Sequence, residues 1–144
     1  MQIWQFKPRR DDSGDIICTG TATVFTDHTT RTGVPSDRGG IMACSLPRGL
    51  CMATKGSGFE GVPDFTLVRV YCAATERAIV VPVIDEGPAW VAQAGTGHPG
   101  AAMIDLTPAA LDALGLRDNA MVSIRVLAGT AAPMIAARSG KLAG

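Results

Sequence analysis

The stretch "VVPVIDEGPAW" at residues 80–90 runs a β-branched segment through Pro82 and delivers Asp85 and Glu86 into a Gly-Pro turn. A buried strand that ends on two acids has two explanations. Asp favours such turns because its carboxylate accepts hydrogen bonds from nearby backbone amides. The same group could instead carry a proton in an active site. A third acid, Asp105, closes the apolar "AAMIDL" segment two residues before Thr107, where it could support the first amides of a helix or join that chemistry. The other reactive side chains offer less. Cys18, Cys44, Cys51 and Cys72 match no CxxC zinc spacing, so they read as packing thiols, and neither a metal nor a cofactor is expected. A Cys44–Cys51 disulfide would require an environment outside a reducing cytoplasm. His28 and His98 both fall in loops rich in turn-forming residues and read as surface side chains.

The composition limits what these residues can serve. Apolar side chains make up 47% of the 144 residues and charged ones 18%, which predicts one globular domain with a sizeable core. With 13 basic and 13 acidic residues and no long Lys/Arg stripe, the chain is a poor match for a nucleic acid backbone. No apolar run approaches the roughly 20 residues of a membrane span. The opening "MQIWQFKPRRDDSGD" lacks the apolar centre of a secretion signal. Synthesis in the cytoplasm is therefore expected, with later association with a virion as one destination.

Residues 1–17 read as an N-terminal arm that could add a strand or dock on a neighbour, and 128–144 as a C-terminal tail without clear periodicity. Such arms point to a homo-oligomer or a larger protein assembly. Between them, "CTGTATVF" at 18–25 alternates small and apolar residues as a half-buried strand does. Two long loops within 26–63 surround the short apolar piece "GIMACSLPRGL", and loops of this length are commonly binding surfaces or mobile tips. "FTLVRVYCA" at 65–73 and "AIVVPVID" form a predicted hairpin turned by "TER" at 75–77. Pro82 has no N–H for a ladder, so its strand must lie at an edge, bulge, or cross a gap there. After "AAMIDL", Thr107 is placed to cap a helix with Pro108 at its first position and Gly115 at its end. "MVSIRVL" at 121–127 completes the strands.

This order of elements, with "VIDEGP" and then "MIDLTPAALDALGL" across a loop, resembles the double-psi β-barrel of the rare-lipoprotein-A and expansin group. The matching residues are Val83, Ile84, Asp85, Gly87 and Pro88, then Ile104, Asp105, Leu106, Thr107, Ala109, Ala110, Leu114 and Gly115. "CSLPRG" at 44–49 is similar to that group's Leu-Pro segment. The resemblance implies an all-β fold over residues 18–127: a six-stranded double-psi β-barrel with one short α-helix and terminal extensions. It further implies action on cell-wall polysaccharide, with Asp85 and Asp105 on the group's two acidic positions at the floor of a groove. A glycosidic oxygen leaves poorly until protonated, so such a site needs a carboxyl group that keeps its proton near neutral pH. A second carboxylate nearby would help by like-charge repulsion.

Two positions depart from the group. Glu86 replaces an arginine, and Ala43 stands where a histidine is expected. Asp37 is the one counterpart in the preceding loop for a further family acid. Trp90 could stack on a sugar ring or fill the barrel mouth, and Arg48 could orient substrate or simply be solvated. The sequence therefore supports two functions. One is a lytic-transglycosylase-like enzyme cutting peptidoglycan, of a kind that a phage could encode, using Asp85 and Asp105, with Trp90, Glu86, Asp37 and Arg48 holding the glycan. The other is a non-catalytic barrel that serves as a building block of a virion or similar assembly.

Overall fold

The computed structural model describes residues 8–46, 62–86 and 102–130. Seven strands and one helix follow in chain order: β1 Arg9–Arg10, β2 Ile16–Val24, β3 Cys44–Leu46, β4 Leu67–Cys72, β5 Arg77–Glu86, β6 Ala102–Leu106, α1 Pro108–Ala113 and β7 Ala120–Val126. Hydrogen bonding runs β2-β6-β3-β5-β4-β7 and returns from β7 to β2, which closes a six-stranded barrel. Two of these pairings are parallel, β2 with β6 and β3 with β5, and the rest are antiparallel. The fold is all-β, as the sequence pattern implied. β2 begins at Ile16, two residues inside the segment read as an arm, and the arm does add a strand: β1 pairs antiparallel with Ile16 and Ile17.

Closure follows from the burial pattern. Alternate residues of β2, β4 and β7 turn inward (Ile16, Cys18 and Ala22; Val68, Val70 and Cys72; Val122, Ile124 and Val126) and meet Val81, Val83, Ile104 and Leu106 in one core. Strict alternation fails at two bulges. Ala102, Met103 and Ile104 are consecutively buried because Thr21 pairs with Ala102 and Ala22 with Ile104, so Met103 is the extra residue. Ile84 is extra in the same way between the Cys44–Val83 and Ser45–Asp85 pairs. It packs with Phe25 and Ala43 in a second, smaller apolar cluster. Pro82 crosses a gap. The neighbouring Val83 N–H bonds to Thr66 on the β4 side, so the nitrogen of Pro82 faces the other edge, where β3 begins only opposite Val83. Its missing N–H removes no ladder bond.

Phe65, a buried strand candidate in the sequence, lies outside β4 with φ +68 and is only partly buried, against the smaller cluster. The helix forms as its cap residues dictate. Thr107 Oγ1 accepts from the N–H of Ala110 at 3.3 Å and also from that of Ala43 at 3.1 Å, tying α1 to the entry of β3. Pro108 stands at the start, and Gly115 follows the end with φ +75. Cys18 and Cys72 are free buried thiols, with burial pushing Cys18 up to about 12. Cys44 is fully buried in the core, whereas Cys51 lies outside the described residues.

Candidate functional site

The ends of four adjacent strands bring the site together. Register pairs Thr23 with Asp105, Asp105 with Ser45, and Ser45 with Asp85, giving one polar row across β2, β6, β3 and β5. Asp85 and Asp105 are thus two interstrand steps apart, roughly 10 Å between backbones. Asp105 follows Ile104 and precedes Leu106, both fully buried in the core, so it faces away from the barrel interior. It accepts a hydrogen bond from the Thr23 hydroxyl. Burial pushes its carboxyl up to about 6, the Thr23 bond opposes that rise, and the charges of Asp27 and Asp85 add to it. The group therefore exchanges its proton close to neutral pH, the property expected of an acid that also serves as a base.

Asp85 is held differently. Its Oδ1 accepts the N–H of Glu86 at 2.9 Å and that of Arg31 at 3.1 Å, while the Gly-Pro turn that follows lies outside the described residues. It anchors the end of β5 to the Arg31 loop while its charge reaches Asp105. Arg31 also donates to Glu86 at 2.9 Å and to Asp64 at 2.5 Å. Glu86 thus has its counter-charge supplied from a distant loop.

That loop, residues 25–43, is ordered by its own side chains. Thr30 Oγ1 donates to the carbonyl of Val34 at 2.6 Å, and the fully buried Ser36 exchanges bonds with the Asp27 backbone. Thr32 places both its N–H and its hydroxyl on the carbonyl of Ile84, the bulged residue of β5. The long loop therefore caps the smaller apolar cluster and brings Asp27 into the field of Asp105. Asp37 stands at its exposed side, 3.2 Å from His28 Nδ1. The candidate helix support by Asp105 falls instead to Thr107. Trp90 and Arg48 lie outside the described residues.

Sequence reasoning missed Thr23, Asp27, Ser45 and Arg31. Thr23 and Ser45 carried a weak signal as polar positions in apolar strands. Asp27 and Arg31 carried none, because their roles depend on where a long loop folds back. Among the described residues no group of three His, Cys, Asp or Glu side chains is placed to hold a metal. No described helix is long and apolar enough to cross a membrane.

The closed barrel with two parallel pairings and, among the described residues, one capped helix defines a double-psi-like β-barrel. A solved structure with this fold is that of a Streptomyces papain inhibitor, 23% identical, with a TM-score of 0.52, matching over 76% of this chain and 92% of that one. The likeness establishes the fold. No family model matches the chain and no curated protein matches its sequence, so the rare-lipoprotein-A and expansin resemblance stands on the motifs quoted above.

Proposed function

We propose that this barrel is a glycan-active protein that cleaves peptidoglycan strands by lytic-transglycosylase-like chemistry, with Asp105 as its acid and base. The single observation that carries this reading is the half-buried carboxyl of Asp105, raised to about 6 within reach of the charges of Asp27 and Asp85. In its protonated form Asp105 would donate to the glycosidic oxygen as the bond to the anomeric carbon breaks. A hydroxyl of the same sugar would then attack that carbon and return its proton to Asp105, giving an anhydro-sugar end and regenerating the acid. One titrating group suffices, because the nucleophile belongs to the substrate. Asp85 would act by its charge and by holding the Arg31 loop against the end of β5.

The test is release of anhydro-muropeptides from purified peptidoglycan by the full chain. Release that disappears in Asp105→Asn while the variant stays folded supports the role; unchanged release refutes it. A second reading, a non-catalytic component of an assembly, draws on Val24 and Met42, large apolar side chains 45% and 39% exposed at the β2 end and the β3 approach. Wild-type protein that releases nothing yet is recovered in a stable oligomer would favour it.

A further inference from the structure

A second polar surface lies on the other side of the barrel and has no part in the reading above. β7 and β4 stand opposite β6 and β3 in the closed ring. Register aligns Arg9, Ile17, Arg125, Arg69 and Val80 in one row across β1, β2, β7, β4 and β5. The next row aligns Thr19, Ser123 and Tyr71. Between the rows is a cavity of about 220 Å³, lined by Ile17, Thr19, Arg69, Tyr71, Ser123 and Arg125, with Cys18 and Ile124 also at its wall.

Like charges directly opposite on antiparallel strands repel, and Arg69 faces Arg125 in this way. Arg125 is answered from within: Asp11 and Asp15, the latter at 3.0 Å, both take its guanidinium. Arg69 is exposed and has no hydrogen bond or ion pair among the described residues, and the same holds for Arg9 at the far end of the row. Three arginines against two aspartates leave the face with one excess positive charge. The hydroxyls of Thr19 and Ser123 bond to each other at 3.0 Å and retain further donor and acceptor capacity. Tyr71 adds a half-buried ring whose hydroxyl has no partner among the described residues. The exposed Arg69 guanidinium fork, a ring and a pair of hydroxyls on a shallow sheet face suit a ligand that carries one carboxylate on a small hydroxylated ring. The volume is below that of a drug-sized site and admits a single such unit.

We infer that this cavity binds a carboxylate-bearing sugar unit, with Arg69 taking the carboxylate, Tyr71 the ring face and the Thr19–Ser123 pair the ring hydroxyls. The experiment is an amide-resolved NMR titration of the full chain with glucuronate, glucose and inorganic phosphate. Glucuronate is expected to give saturable shifts at Thr19, Tyr71 and Ser123 in the millimolar range. Arg69→Gln should weaken it about tenfold, with Arg69→Lys between the two because it keeps the charge and loses the fork. Arg69 is exposed, so these variants should fold. Glucose binding as tightly as glucuronate would remove the carboxylate from the argument, and phosphate binding as tightly would reduce the cavity to a bare anion site. Either result, or an unchanged titration in Arg69→Gln, overturns the inference. Asp105→Asn should leave this titration intact, so the two sides of the barrel are tested separately.

Discussion

Replacing Asp105 with asparagine should make the protein more stable at neutral pH while removing the proposed activity. The side chain keeps its shape and can still accept from Thr23, but it no longer has to ionise where burial disfavours charge. A rise from 3.8 to about 6 corresponds to about 3 kcal/mol at about 1.4 kcal/mol per unit. The sign follows from proton counting. Between about pH 4 and pH 6 the folded protein holds a proton that the unfolded chain releases, so wild-type stability contributed by this group falls as pH rises through that window. Below about pH 4 both states are protonated and the penalty is absent; above about pH 6 it is complete. That figure is already net of the Thr23 hydrogen bond, which favours the charged form and so opposes the rise.

The expected gain for Asp105→Asn is therefore about 3 kcal/mol at pH 7.5, or a rise in Tm of about 10 °C for a chain of this size, shrinking towards zero near pH 4. Urea unfolding of both proteins at several pH values measures it, and the difference between them cancels groups common to both, including Asp11 and Asp15. A gain that does not change with pH, or a variant less stable at pH 7.5, would refute the claim that buried charge at Asp105 is costly.

The remaining predictions concern the scaffold. Thr107→Ala removes an acceptor shared by two buried amides, of Ala110 and Ala43, and should cost about 2–3 kcal/mol in denaturant unfolding, with Thr107→Ser recovering most of it. Gly115→Ala forces a side chain into φ +75 and sets its Cβ 3.2 Å from Arg77 Nη1, so a loss of about 1–2 kcal/mol in the same assay is expected.

Much of the framework was legible because its determinants are local. Alternation marked β2, β4 and β7, and the cap triplet of Thr107, Pro108 and Gly115 bounded α1, since strand periodicity and cap chemistry act over a few residues. The irregular places were harder to read. A bulge at Met103 or Ile84 leaves consecutive apolar residues that alternation cannot interpret, and Phe65 drops out of its strand into a positive-φ position that no local preference favours.

The sequence by itself marked β2, β4, β5, β6 and β7, bounded the one described helix at both ends, and placed Asp85 and Asp105 near the ends of two of those strands; β3 read only as a short apolar piece between loops. Tertiary structure alone decided what the two acids are. Asp105 rises because β2 brings Thr23 beside it in parallel register and the 25–43 loop returns Asp27 to its field, while Asp85 is pinned by the amide of Arg31, more than fifty residues earlier in the chain. Burial and charge are properties of what surrounds a group, and here those surroundings come from chain segments that only barrel closure brings together.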